Sequence, residues 1–315
     1  MSVHIPAKPT TAFFNRRNLL VTTIISVGYL LLSALLVGFK TDQLWLLAIF
    51  NGCYYGSRIS RKFILGFSVF VIYWILFDYQ KALPNYMVSA VHIKDLYDAE
   101  KSLFGVMVDG VKLTPNEFWL HHKNAFLDVL TGAFYLCWVP VPLAFACYMF
   151  FKDRLGFLHF ICTFLFVNFI GWIGYYTYPA APPWYVQLHG FDFQANTPGH
   201  IAGLIGFDNY FNVTVFQSLY AKGSNVFAAM PSLHSAYPLI VFFYARKHTH
   251  PVFITLFGII TAGIWFAAVY TSHHYVLDVT AGILCALIGY LLYKRVLMKT
   301  GWYKRFIERF YAAIA

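Results

Sequence analysis

Apolar positions along the chain gather into runs at residues 19–39, 44–55, 63–77, 126–151, 155–176, 235–245, 252–270 and 276–293, separated by short polar breaks or by two long mixed segments. A bilayer span needs about 20 predominantly apolar residues. The runs at 44–55, 63–77 and 235–245 fall short of that, so their flanks must contribute or their helices must sit obliquely or against protein. The pattern predicts an all-α polytopic membrane helix bundle of six to eight spans, eight if every run crosses.

Basic residues fall in alternate gaps. Lys8, Arg16 and Arg17 precede the first run; Arg58, Arg61 and Lys62 separate the second from the third; Lys152 and Arg154 the fourth from the fifth; Arg246 and Lys247 the sixth from the seventh. Lys294, Arg295, Lys299, Lys304, Arg305 and Arg309 follow the last. Threaded through eight spans, these groups lie on one side, which the positive-inside bias makes cytoplasmic together with both termini. The long connections, 78–125 and 177–230, lie on the other side. In the first, Tyr97 to Gly105 and Pro115 to Lys123 mix charge with regularly spaced apolar positions, the pattern of amphipathic interfacial helices. These serve either as a solvated cap over the bundle or as a lipid gate. The second opens on Tyr175-Tyr-Thr-Tyr-Pro-Ala-Ala-Pro-Pro-Trp-Tyr185, where prolines stop a helix at the headgroup level that Trp and Tyr favour. Composition alone makes this an aromatic belt.

A chain of 315 residues that is 59% hydrophobic, 20% aromatic and 11% charged is too apolar for an ordinary soluble domain. The first run is long enough to be a retained helix rather than a removed leader. The net charge of +10 follows the topology just described and gives no reason to expect nucleic acid. Cys53, Cys137, Cys147, Cys162 and Cys285 all lie inside apolar runs, where they act as small hydrophobes and suggest neither a disulfide framework nor a metal site. No internal repeat or nucleotide-binding fingerprint is present, so the chain reads as one membrane unit. Its parts are amino-terminal helices with an extracytoplasmic amphipathic segment (1–125), a catalytic membrane region (126–295) and a basic cytoplasmic tail (296–315).

Two stretches carry candidate chemistry: Ala229-Met-Pro-Ser-Leu-His234-Ser-Ala and Tyr270-Thr-Ser-His-His274-Tyr-Val-Leu-Asp278. Each sets a histidine at the mouth of an apolar run. Asp278 follows His274 by one helical turn, on the same face. An ionisable group at such a position is a functional candidate, because burying it unpaired costs several kcal/mol. A carboxylate behind an imidazole fixes its tautomer and leaves the other ring nitrogen free to attack. His234 is then the proton donor and acceptor. Pro231 and Ser232 place a helix N-terminus just ahead of His234, a natural guest site for a phosphate.

These two stretches resemble the second and third signature motifs of the type 2 phosphatidic acid phosphatase (PAP2) superfamily, whose members use a His/His/Asp site. Together with Tyr178-Pro-Ala-Ala-Pro-Pro-Trp-Tyr185, they are most similar in order and spacing to its inositol phosphorylceramide synthase branch. The resemblance runs over roughly 124–294. Phosphatase members carry a Lys-x6-Arg-Pro motif and an Arg ahead of the third-motif histidine. Here Tyr178-Pro179 and Ala268 stand at those places. Without arginines to clamp a doubly charged phosphate in bidentate fashion, the site suits a phosphodiester better than a monoester.

The resemblance implies a PAP2-like helical core and a lipid phosphotransferase. Phosphatidylinositol donates its phosphoinositol headgroup to His274, ceramide accepts it, and Asp278 and His234 act as above, with no metal and no cofactor. Ser232, His273, Pro182, Pro183, Trp184 and Tyr185 are candidate headgroup contacts. His273 is equally well only an interfacial neighbour of His274. The expected partners are these lipids and the bilayer, and no residue pattern designates an accessory subunit. The active site faces the periplasm or a lumen. One alternative resolves the same phosphohistidine with water, as a lipid phosphate phosphatase. Another is a non-catalytic transporter using His234 and Asp278 as a proton relay.

Overall fold

The computed structural model describes residues 14–221 and 225–315; Lys8, one of the basic residues ahead of the first run, lies outside them. The chain is almost wholly helical. Helices α1 (Arg16–Leu36), α2 (Thr41–Gly56) and α3 (Arg58–Tyr79) form an amino-terminal group. A cap follows, with α4 (Lys94–Phe104), a hairpin of β1 (Val106–Val108) and β2 (Val111–Leu113), and α5 (Pro115–His121). Then come α6 (Ala125–Leu136), α7 (Pro140–Lys152) and α8 (Arg154–Thr177), and a second cap of α9 (Pro183–His189), α10 (Ile205–Phe211) and α11 (Val215–Ala221). The chain closes with α12 (Leu233–His248), α13 (Pro251–Tyr270), α14 (Val276–Arg295) and α15 (Gly301–Ile314).

Among the described residues, six helical stretches are long and apolar enough to cross a membrane: Arg16–Leu36, Arg58–Ala82, Ala125–Lys152, Arg154–Thr177, Pro251–Tyr270 and Val276–Lys299. The protein is therefore a multi-pass integral membrane protein. The short run at 63–77 gains its flanks and becomes the 22-residue α3. The runs at 44–55 and 235–245 become the 16-residue helices α2 and α12, about 24 Å each at 1.5 Å per residue. The short length of α12 is tolerated because it lies inside the bundle, packed on α7, α8, α13 and α14 with Ala236, Ile240, Val241 and Ala245 buried. The run at 126–151 is not one continuous helix. It breaks between Leu136 and Pro140, where proline lacks the N–H that would continue the ladder.

At the amino-terminal side, polar side chains rather than apolar burial hold the helices together, as expected where lipid competes equally for apolar surface. Thr22 Oγ1 meets Tyr55 Oη at 2.7 Å, Ser33 Oγ meets Tyr79 Oη at 2.8 Å, and Asn51 Nδ2 donates to Ser26 Oγ at 3.1 Å. The rest of α1 presents Leu20, Ile24, Leu31 and Leu35 outward. The segment after α14 is helical: α15 buries Tyr303, Ile307 and Ile314 against α3 and α8 and leaves Trp302 and Phe306 exposed.

The closest approach in the core joins α14 to the start of α12. A Cβ on Gly282 would lie 2.1 Å from the Ser232 carbonyl oxygen, and the Ser232 N–H donates to the Asp278 carbonyl at 2.9 Å. Backbone cannot yield there, so Gly282→Ala must push α14 off α12. The expected cost is about 1–3 kcal/mol, read as a lower unfolding temperature of the purified protein in detergent.

Candidate active site

The N-termini of α12 and α14 converge, and with them the two sequence stretches. Ser232 caps α12, its side chain accepting from the Ser235 N–H and the Ser235 hydroxyl. This leaves His234 in the first turn, half-buried. Its Nδ1 lies 3.0 Å from His274 Nε2 and 3.3 Å from the Tyr135 hydroxyl. Two imidazoles forty residues apart in sequence thus share one proton position. Tyr220 donates to Tyr135 at 3.2 Å, and Trp138 sets its ring edge-on to His234 with centroids 4.4 Å apart. Tyr135 and Trp138 flank the break after α6.

Asp278 is fully buried behind His274, its Oδ2 3.6 Å from His274 Nδ1. That is too long for a direct hydrogen bond. Oδ2 accepts from the Tyr275 N–H at 2.8 Å, while among the described residues Asp278 Oδ1 and His274 Nδ1 make no hydrogen bond. A small rotation of the imidazole would close the pair. Burial pushes the imidazoles of His273 and His274 down, His274 to about 4, so both are neutral at neutral pH. A neutral ring is the form that can act as a nucleophile.

The loop from Thr271 to Tyr275 is held from several sides. Ser272 sits in the left-handed region at φ 60°, a conformation that costs a non-glycine residue about 1 kcal/mol or more. Its carbonyl accepts from the Trp184 N–H at 3.0 Å and its hydroxyl from Gln187 Nε2 at 3.1 Å. The Ala268 carbonyl accepts from the N–H groups of His273 and His274. Ala268 itself is buried among apolar neighbours, so α13 places a methyl group beside this loop.

The cap supplies two groups that inspection of the sequence missed. Asn116 Nδ2 donates to the carbonyls of Val269 and His274, at 2.7 and 3.0 Å. Glu100, fully buried, accepts from the N–H groups of Val276 and Leu277 at 2.9 and 3.0 Å. It thereby satisfies orphan donors at the start of α14, where a negative charge is also favoured by the dipole. The amphipathic segments of the first connection are therefore a cap docked on the candidate site. In the sequence, Glu100 and Asn116 looked like ordinary polar positions of exposed helices.

The remaining candidates divide. His273 lies beside the pair: its Nδ1 is 3.0 Å from Thr271 Oγ1, its ring faces Tyr135 and Tyr220, and its Nε2 is buried without a partner among the described residues. Pro182 and Pro183 start α9, the Trp184 ring lies against His200, and the Tyr185 hydroxyl bridges the Asp192 carbonyl and the Gln194 N–H. Among the described residues no hydrogen bond joins any of these four side chains, or that of Ser232, to His234, His274 or Asp278. Their connection to the site runs through the Ser272 backbone and the α12 cap. No group of three His, Cys, Asp or Glu that could hold a metal occurs among the described residues.

Residues 94–292 match the PAP2 superfamily. The chain belongs to that superfamily. The match takes in the cap that carries Glu100 and Asn116 as well as the helices that carry the histidines. The chain is 43% identical over 302 residues to the phosphoinositol dihydroceramide synthase of Bacteroides thetaiotaomicron, covering 95% of this chain and 99% of that one. It is 26% identical over 268 residues to the inositol phosphorylceramide synthase catalytic subunit of Saccharomyces cerevisiae, covering 79% of this chain and 61% of that one. The inositol phosphorylceramide synthase of Candida albicans is 26% identical over 255 residues, 78% of this chain and 51% of that protein. No solved structure matches.

Glu100 supplies a test of the cap. Burial raises its carboxyl from 4.5 to about 7, against the two N–H donors that pull it down. Between those pH values the folded chain keeps a proton that the unfolded chain releases. The stability this group contributes is complete below pH 4.5 and is lost as pH rises to about 7. Unfolding temperatures of Glu100→Gln and wild type, measured across that window, should therefore shift in favour of the variant as pH rises. Glu100→Ala, which strands both N–H groups, should cost about 1–3 kcal/mol.

Proposed function

We propose that this protein transfers a phosphoinositol headgroup from phosphatidylinositol to the primary hydroxyl of a ceramide or dihydroceramide. The observation that carries this reading is the 43% identity to a phosphoinositol dihydroceramide synthase along nearly the whole of both chains. The geometry of the histidine pair and the apolar Ala268 position support it, since a site without an arginine clamp suits a singly charged diester.

His274 Nε2 attacks the phosphorus of the donor, which takes the place of the hydrogen bond to His234. The bond from phosphorus to the diacylglycerol oxygen breaks, and the proton held by His234 passes to that oxygen. Diacylglycerol leaves, and the headgroup remains as a phosphoramidate on His274, with Asp278 stabilising the charge on the ring through Nδ1–H. The hydroxyl of the sphingoid acceptor then gives its proton to His234 and attacks phosphorus. The N–P bond breaks and the neutral His274 is restored. Thr271 Oγ1 gives its proton to the Ala267 carbonyl and so accepts from His273 Nδ1–H, which leaves the neutral His273 ring with a bare Nε2 to accept from a headgroup hydroxyl. Ser232 and the Pro182–Tyr185 cluster act indirectly, by fixing the α12 start and the Ser272 backbone.

The histidine pair is assigned to the extracytoplasmic side and the termini to the cytoplasm. In α12, His234 opens the helix and Arg246 and Lys247 close it, about 20 Å apart, so the basic end faces the cytoplasm. Residues 126–295 carry the chemistry, 1–125 add the amino-terminal helices and the bracing cap, and 296–315 form a basic segment on the cytoplasmic face.

Purified protein given headgroup-labelled phosphatidylinositol should form a labelled lipid only when ceramide is added. Water-soluble label released regardless of ceramide would identify a hydrolase instead. His234→Ala and His274→Ala should each lower transfer by about 10²–10⁴-fold or more, with unchanged elution on size-exclusion chromatography. Near-normal transfer by either variant would overturn the assignment of these two residues.

A further inference from the structure

At the end of the bundle away from the histidine pair, the ends of α8, α12 and α14 line an open cavity of about 350 Å³. Its polar lining includes Lys247, Lys294, His159, His248 and Asp153, and its apolar walls include Leu155, Phe243 and Met298. Lys294 is half-buried. Its ammonium donates to the Tyr290 hydroxyl and lies over the rings of Tyr290 and Tyr244, with centroids at 4.1 and 5.9 Å. Lys247 stands exposed at the rim. Among the described residues neither lysine has a carboxylate partner. Asp153 is the one acid in the wall, and it is already committed. Its Oδ1 caps α8 at the Gly156 N–H, 2.9 Å away, and its Oδ2 faces His248 Nδ1 at 3.3 Å. His159 Nδ1 is 3.0 Å from the Tyr293 hydroxyl.

An ammonium drawn out of bulk water into an aromatic pocket calls for a counter-charge, and among the described residues no carboxylate, Asp153 included, lies within ion-pair distance of Lys294. We propose that this cavity binds a phosphate anion carried by the headgroup of an anionic phospholipid, held by Lys294 and Lys247. The lipid source follows from the surroundings. Leu155, in the apolar wall, is 45% exposed, so the cavity offers open apolar surface beside its lysines against which an acyl chain can lie. The cavity also lies at the end where the chain's basic residues collect, the level at which anionic headgroups are found.

Occupation would tie together the far ends of α12 and α14, the helices whose near ends carry His234 and Asp278. The site is about 20 Å along α12 from the histidine pair, so it is separate from the donor and acceptor lipids of the transfer reaction.

The full chain, placed in nanodiscs of phosphatidylcholine alone or with phosphatidylglycerol added, tests this by its unfolding temperature. Phosphatidylglycerol should raise that temperature by about 2–4 °C. The Lys247→Met/Lys294→Met double variant should lose most of the rise, and Lys294→Arg, which keeps the charge, should retain it. Lys247→Met alone, at an exposed position, should lose part of the rise and stands in should the double variant not fold. Inorganic phosphate added to phosphatidylcholine discs separates the two sources of the anion: an equal rise there would assign the site to the free ion and overturn the lipid. No rise with phosphatidylglycerol, or the same rise in the double variant, would overturn the site altogether.

Discussion

The geometry of the candidate site depends on one backbone contact. The cap of α12 presses on α14 at Gly282, and the Ser232 N–H is bonded to the carbonyl of Asp278 itself. One helix start carries His234 and the other carries Asp278, with His274 a turn before it, so this contact sets the distance between proton handler and nucleophile. Side-chain packing would allow a few tenths of an ångström of drift. Backbone against backbone, with glycine the one residue that permits the approach, allows much less.

Around that contact the protein spends polar groups on position. Asn116, Glu100 and the Trp184 and Gln187 pair each hold a different part of the loop from Val269 to Leu277. Where the partners are buried, as with Asn116 and Glu100, each such bond removes an alternative conformation, because breaking it leaves a buried donor or acceptor unpaired. The strained Ser272 is sustained by this surplus of constraints. The two caps are thus part of the machinery that shapes the loop, and the PAP2 match that begins at residue 94 includes the first of them.

The same logic runs through the membrane region with different weight. On α1 a few hydroxyl and amide pairs hold the helix to its neighbours while most of its apolar surface faces outward. In the bundle around α12, close packing takes over, with a short polar chain from Tyr73 through Tyr237 to Asn168 running through it. That difference explains why α12 need not match the bilayer in length and why α1 does.

By itself the sequence determined the helical membrane class, the approximate places of the apolar helices, and the two stretches that bring His234, His274 and Asp278 into view. These are local properties: run length, periodicity and the presence of an ionisable group beside an apolar run. It also carried the family through short motifs of fixed spacing. Tertiary structure alone decided that the two imidazoles touch, that Tyr135 and Trp138 stand beside His234, and that α12 is an interior helix. It alone made Glu100 the acceptor for a helix start 176 residues further on. A polar residue on an amphipathic helix looks the same in sequence whether it meets water or a buried N–H. What distinguishes the two is the partner, which folding brings from elsewhere in the chain and local sequence does not encode.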